Sequence, residues 1–324
     1  MIKTAEINEL VASDIKQVEE KMREVVGEHN ETLTLAIDHL VNAGGKRLRP
    51  IITLLSTRFN KADHQKAIAL AAAVEMLHTA TLVHDDLIDN ALFRRGHPTL
   101  NANWTPNATV LTGDYMFARS SGFAAETDDV RIIKIFSNTL MTIVNGELHQ
   151  FFNNGHSAPP SQEEYFQRIY AKTASLFAAG AETGAILAAL PETQVRALHD
   201  YGYYLGMAFQ IMDDILDFQG DEARLGKPVA NDLRQGIATL PVLLFLEDSP
   251  DHPLVLKAVA KQYPTDAEIE QVVAEIRASG GIQESLDKAR RLARQAQEAL
   301  TPLPDNKYRR ALLDIADYSA ARDI

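Results

Sequence analysis

A chain of 324 residues that is 46% apolar can build a large core, and its formal charge of -12 argues against a nucleic-acid surface. It contains no cysteine, which excludes disulfides, zinc thiolates and a cysteine nucleophile and is compatible with a reducing compartment. The N-terminus, M-I-K-T-A-E-I-N-E-L, has no apolar signal core, and runs such as Ala67 to Met76 are too short or meet charge too early to span a bilayer; the expectation is a soluble, cytoplasmic chain without a transmembrane segment.

Ile7, Val11, Ile15, Val18, Met22 and Val25 step by threes and fours, which predicts an amphipathic helix over the first 27 residues. A second helix, about 31 to 43, stops at Gly44-Gly45. The loop G-G-K-R-L-R-P then sets Lys46, Arg47 and Arg49 beside flexible backbone, with Pro50 suited to the first position of the next helix. Helix N–H groups and three cations make an anion site or, equally, an ordinary basic turn.

Asp63 can cap the next helix, which runs into L-V-H-D-D-L-I-D-N-A-L-F-R-R-G from Leu82 to Gly96. In a helix Asp85, Asp86 and Asp89 fall within about 100° of arc, where carboxylates repel unless something positive sits against them. Their flanks (Leu82, Val83, Leu87, Ile88) are apolar, which places the acids at the rim of a core rather than on a plain solvated face, and Arg94 and Arg95 follow closely. His78 lies two turns before Asp85 on roughly the same side and reads either as a satisfied core histidine or as a neighbour of the cluster.

Thr105-Pro106 opens another helix, and Thr127 is placed to cap the long one ending near Phe152, whose Glu147 and Gln150 read more simply as surface residues than as site residues. After a polar loop from Asn153 to Pro160, Ser161-x-x-Glu164 forms a capping box. In the helix that follows, Lys172-Thr173 interrupts a small apolar face, where snorkelling of the lysine competes with an anion contact. Pro191 starts the helix that ends with Gln210 and a second cluster, Asp213, Asp214 and Asp217 in A-F-Q-I-M-D-D-I-L-D-F. The repeated D-D-x-x-D spacing reads as two walls of one site. Hard carboxylate ligands suit Mg²⁺, which takes one or two of them plus substrate phosphates, so six acids with nearby arginines point to a metal-bridged diphosphate site. Neither cluster has the loop, central glycine or closing glutamate of an EF-hand.

Gly220 to Asp232 reads as a loop containing Leu225-Gly226-Lys227-Pro228, followed by helices near 237 to 247, 253 to 262, 266 to 278 (capped by Thr265-x-x-Glu268), 281 to 299 and 305 to 320. With no strand alternation and no linker, the expectation is one all-α domain over residues 1–324.

Four features thus stand in order: G-G-K-R-L-R-P, D-D-x-x-D-x(4)-R-R-G, K-T, and Q-I-M-D-D-I-L-D-F-x-G-D with L-G-K-P downstream. Together they resemble the trans-polyprenyl diphosphate synthases, the head-to-tail isoprenyl chain elongation enzymes, most strongly over residues 30 to 245. The resemblance implies an isoprenoid-synthase-like helical bundle around a central apolar cavity, three Mg²⁺ per active site with substrate bound, and condensation of isopentenyl diphosphate with an allylic diphosphate. It implies a homodimer, with a small accessory subunit in some relatives of this type. Asp85, Asp89 and Asp213 resemble direct metal ligands, with Asp86, Asp214 and Asp217 supporting metal or water. Lys46, Arg49, His78 and Arg95 resemble the grip on isopentenyl diphosphate, and Arg94, Lys172, Thr173, Gln210 and Lys227 that on the allylic diphosphate. The reaction itself would then rest on Asp85, Asp89, Asp213, Arg94, Lys172 and Lys227, the cations steadying the departing diphosphate. One departure is Ile237 in G-I-A-T-L-P, where the family often has lysine.

Three other readings compete. A terpene cyclase would need one diphosphate, whereas Lys46, Arg49, His78 and Arg95 supply a second anion site. A non-catalytic regulatory or product-binding subunit should lack intact acidic clusters. A generic acidic helical scaffold leaves the arginines unexplained. Product length is expected to hang on the turns before Asp85: Ala80 and Thr81 are small where short-chain relatives carry aromatic residues, so the floor lies deeper, at Leu77 or Met76. That favours six to ten isoprene units over farnesyl or geranylgeranyl diphosphate.

Overall fold

The computed structural model describes residues 4–24, 31–153, 158–219, 229–262 and 264–321. Val25 and Lys227, and the loop expectations over 154–157 and 220–228, lie outside them. The described chain is helical save for one tiny ribbon. In order run α1 (Thr4–Met22), α2 (Glu31–Asn42), α3 (Leu48–Thr57), α4 (His64–Ile88), the strands β1 (Phe93–Arg94) and β2 (His97–Pro98), and α5 (Leu100–Asn103). There follow α6 (Pro106–Ala125), α7 (Val130–Asn153), α8 (Gln162–Ile169), a π-helical turn (Tyr170–Ala174), α9 (Ser175–Leu187) and α10 (Glu192–Gln219). The remainder is α11 (Asn231–Arg234), α12 (Leu240–Asp248), α13 (Pro253–Val259), α14 (Asp266–Ala278), α15 (Gly281–Ala299) and α16 (Lys307–Ala320).

Capping chemistry accounts for most boundaries. Asp63 accepts from the N–H groups of Gln65 and Lys66, Thr105 from Ala108, and Ser161 and Thr265 each close a full capping box. Two expectations shift. Pro50 is the third residue of α3, because Arg47 caps the helix in a left-handed conformation; a proline still fits there, since no first-turn N–H has an intrahelical partner. Asp129, not Thr127, caps α7 by accepting from Arg131 N–H, while the Thr127 hydroxyl donates to the Ala124 carbonyl and closes α6. The ribbon was not foreseen: Phe93 pairs with Pro98 and Arg94 with His97 around Arg95-Gly96, both with positive φ as a two-residue type I′ hairpin requires.

Two cores share one spine. Leu198, Tyr201 and Leu205 of α10 pack into a core with α1 to α4, α6, α7, α9 and α16; Met207, Ile211, Ile215 and Phe218, further along the same helix, pack with α8 and α11 to α15. Among the described helices α4 is long and apolar enough to cross a membrane, contrary to expectation, with a window of mean hydropathy 1.4; 78% of that window is buried inside the protein, as befits a central core helix. Glycines let the π turn approach its neighbours. A Cβ on Gly146 of α7 would lie 2.6 Å from that of Ala171, and one on Gly206 of α10 would lie 2.5 Å from Ala174 Cα, so the turn is wedged between the two helices.

Candidate active site

The π turn joins the two acidic clusters. A π-helical turn widens the helix by one residue and is frequent at functional sites. Here it turns Lys172 one way and Thr173 another. Lys172 Nζ lies 3.5 Å from Asp85 Oδ2 on α4 and 2.9 Å from Glu147 Oε1 on α7. Thr173 Oγ1 donates to Gln210 Oε1 on α10 at 2.7 Å, one turn before Asp213 and Asp214. Two adjacent residues therefore stitch one wall to the other. Desolvation works against the Lys172 charge, but Asp85 and Glu147 outweigh it and hold its pKa above the ordinary lysine value. Burial raises the Glu147 carboxyl against the pull of Lys172. Glu147 was read as a surface residue; only its helical register against the π turn, set by Gly146, brings it in.

Within each cluster the three acids differ. Asp86 is buried and accepts from Arg94 Nε at 2.8 Å; burial raises its pKa, with Arg94 pulling the other way. Asp85 is half-buried and faces Lys172, while Asp89 caps α4 at the exposed mouth. In the second cluster Asp213 is half-buried. Asp214 is buried, accepting from Tyr165 Oη at 2.7 Å and Gln210 Nε2 at 2.9 Å, and its carboxyl is pushed up to about 7 by burial and by Asp232. Asp217, also buried, accepts from the Asp232 N–H at 3.1 Å.

The basic groups divide similarly. Arg47 is inside, paired with Glu19 and Glu75 at 2.9 Å each and donating to the Val41 carbonyl, so it locks α3 to α1 and α4 and is no anion ligand. Lys46 is exposed with its ammonium over the Tyr318 ring, and the half-buried Arg49 lies over Phe177. The hairpin aims Arg94 at Asp86, and Arg95 donates to the Gly44 carbonyl, bringing the hairpin tip to the glycine loop. Between them opens a pocket lined by His39, Arg47, Glu75, His78, Arg94 and Arg95. Burial and then Arg49, Arg95, Arg94 and Arg47 drive the His78 pKa well below its usual value, so the imidazole is neutral in a positive field. An anion entering there relieves repulsion among guanidiniums.

At the other rim the Lys261 side chain lies across Gly236, beside Ile237, and its charge is felt at Asp89. A lysine distant in sequence thus stands next to the position where the family pattern is broken. Along α4, Ala80 and Leu77 are fully buried and Thr81 is half-buried, its hydroxyl donating to the His78 carbonyl at 2.7 Å.

Among the described residues no three carboxylates and histidines converge as a ready-made metal cage. The donor set nonetheless fits a hard divalent cation. Asp85 and Asp89 offer oxygens on one wall and Asp213 on the other, a cation (Lys172) already sits against Asp85, and Mg²⁺ is commonly held by one or two carboxylates with substrate phosphates completing the shell.

The polyprenyl synthetase family model matches residues 30–276. The chain is 41% identical over 315 residues to heptaprenyl diphosphate synthase component 2 of Geobacillus stearothermophilus, covering 97% of each chain. It is 34% identical over 318 residues to octaprenyl diphosphate synthase of Escherichia coli, covering 98% of each. A polyprenyl synthase from Caulobacter crescentus, solved in complex with calcium and isoprenyl diphosphate, superposes with a TM-score of 0.92 at 36% identity, over 98% of this chain and 97% of that one. The chain belongs to the polyprenyl synthetase family, and it is an all-α prenyltransferase.

Proposed function

We propose that the chain condenses isopentenyl diphosphate with an allylic diphosphate in a Mg²⁺-dependent reaction and releases a long all-trans polyprenyl diphosphate of six to ten isoprene units. The observation that carries this reading is the π turn whose Lys172 and Thr173 bind opposite acidic walls, next to the separate arginine pocket around His78. Two anion sites, one of them beside carboxylates, fit two diphosphate substrates and disfavour a cyclase.

Asp85, Asp89 and Asp213 would hold Mg²⁺, three ions with substrate present, and the metal would supply charge neutralisation for a departing diphosphate. Lys172 and Lys227 would hold that anion, while Arg49, Arg95, Lys46 and His78 hold isopentenyl diphosphate so that its double bond meets the allylic carbon. The carboxylates serve as ligands rather than as an acid/base pair, and an apolar surround excludes water from the allylic cation. Intact clusters also set the chain apart from a non-catalytic subunit.

Long product is supported by relatives named for seven, eight and nine isoprene units and by the small, buried Ala80 one turn above His84 and Asp85. Incubation with farnesyl diphosphate, labelled isopentenyl diphosphate and Mg²⁺ tests both parts. Products of C30 to C50 are expected, and Ala80→Phe should shorten them while consumption of the allylic substrate continues. Termination at C15 or C20 in wild type would overturn the length assignment.

A homodimer is supported by exposed apolar residues at helical spacing on α7 (Met141, Val144, Leu148), with Leu111 of α6 also exposed. Light scattering should give twice the chain mass; a monomer that needs a second gene product for turnover would instead match the two-component arrangement suggested by the name of the Geobacillus relative. We take the location to be cytoplasmic, with which a chain lacking cysteine is compatible.

A further inference from the structure

Tyr165 takes no part in the reading above, yet it is fully buried in the second core and its hydroxyl ends on a carboxylate of the second cluster. The capping box of Ser161 and Glu164 fixes the start of α8 immediately before it. From there the α8–π–α9 stretch grips α10 twice: Tyr165 at Asp214 and Thr173 at Gln210. In an unbroken α-helix these two positions would point about 80° apart. The wider π turn takes up the extra residue and lets both face α10.

The four groups form one hydrogen-bonded chain with a defined polarity. Burial and Asp214 raise the Tyr165 pKa far above its usual value, so the phenol keeps its proton and donates. The Asp214 carboxylate also accepts from Gln210 Nε2, which fixes the amide the other way round toward Thr173: its Oε1 accepts the Thr173 hydroxyl proton. Thr173 therefore presents lone pairs to the site. It can take a hydrogen from water or from an ammonium, but has none to give a phosphate oxygen while this chain is intact.

We propose that Tyr165 is a positioning residue of the synthase, holding the Asp214 carboxylate so that Gln210 and Thr173 keep one fixed polarity at the wall that receives the allylic diphosphate. This rests on the prenyl-transfer reading. Without the phenol, one oxygen of a buried carboxylate loses its donor, Asp214 is free to rotate, and the Gln210 amide is no longer held in a single orientation.

The test uses the full chain with an allylic diphosphate, isopentenyl diphosphate and Mg²⁺, measuring kcat and each KM separately. Tyr165→Phe keeps the ring and is expected to lower kcat about tenfold, as for one hydrogen bond to a charged group, and to change KM for the allylic substrate while leaving that for isopentenyl diphosphate unchanged. Asp214→Asn should carry most of that loss already, so adding Tyr165→Phe to it should cost less than about twofold more. A second readout needs no turnover: the rise in melting temperature caused by Mg²⁺ with inorganic diphosphate should change in Tyr165→Phe and change little further in the double variant. Unchanged kcat in Tyr165→Phe, or penalties that multiply in the double variant, overturns the proposal. So does an equal rise in both KM values with a lower ligand-free melting temperature, which assigns Tyr165 to core packing. If wild type forms no prenyl product, the functional reading fails instead, and the diphosphate-induced melting shift still decides the role of Tyr165.

Discussion

The two acidic clusters share one spacing and almost one flanking pattern, yet they are built differently. In each, the second aspartate is withdrawn from the site, but by opposite means: Asp86 is clamped by the charged Arg94, Asp214 by the neutral Tyr165 and Gln210. The third aspartates diverge as well, Asp89 at the exposed mouth and Asp217 buried against the Asp232 N–H. Two carboxylates of the α4 cluster, Asp85 and Asp89, are thus left half-buried or exposed, and one of the α10 cluster, Asp213, is half-buried. A spacing motif specifies which face carboxylates share; neighbouring side chains decide which of them remain available.

The largest effects should follow that division. Asp85→Ala and Asp213→Ala are expected to cut turnover by orders of magnitude while the fold persists, since each removes a proposed metal ligand and Asp85 also anchors Lys172. Asp214→Asn should cost far less than Asp213→Ala at saturating Mg²⁺. Equal losses at Asp213 and Asp214 in steady-state rates would show that both acids of the pair are direct ligands and break the comparison.

A second, smaller contrast lies in the basic loop. Arg47 and Arg49 are two positions apart, but Arg47 is paired with Glu19 and Glu75 inside the core, whereas the half-buried Arg49 lies over the Phe177 ring. Arg49→Ala or Lys46→Ala should raise KM for isopentenyl diphosphate roughly ten- to a hundredfold, the loss of a charge-assisted contact, and leave the allylic KM nearly unchanged. Arg47→Ala should act on stability, by about 3–5 kcal/mol, because it strands the buried Glu75. Chemical denaturation and the two KM values separate these cases; a stable Arg47→Ala with a selective isopentenyl defect would put that arginine back in the anion site.

What was legible in the sequence follows from the range of the interactions. Helix starts at Asp63, Thr105, Ser161 and Thr265 are set by side chains reaching two or three residues, so spacing alone located them. Thr127 failed because Thr127, Asp128 and Asp129 all can cap; the left-handed Asp128 ends one helix and hands the next to Asp129. The order of the aspartate clusters and their arginines along the chain made the family legible. Which aspartate pairs with Arg94 was not, because the β1–β2 hairpin aims that arginine; nor was it legible that Lys172 sits on a π turn beside Glu147, which depends on close helix approach at Gly146 and Gly206. Lys261 was invisible for the same reason: its neighbour at Gly236 comes from another part of the fold.

The smallest expected effect is on stability in the absence of metal. Asp214 is raised to about 7 in the folded protein, against an ordinary aspartate value of about 3.9 in the unfolded chain. Between those values the folded state binds a proton that the unfolded state does not. Stability therefore rises as pH falls from about 7 toward 4, and above 7 the full cost of burying the charge is present. Asp86 moves in the same direction but less far, because Arg94 opposes the desolvation. In EDTA, wild type should accordingly gain melting temperature, by a few degrees, when pH is lowered from 8 to 5.5, beyond what other groups contribute. Asp214→Asn, which cannot titrate, should flatten most of that gain and melt higher than wild type at pH 8. Asp86→Asn should flatten less. If Asp86→Asn removes more of the pH dependence than Asp214→Asn, a charged clamp is a poorer neutraliser of a buried carboxylate than two neutral donors, and the contrast drawn between the clusters is reversed.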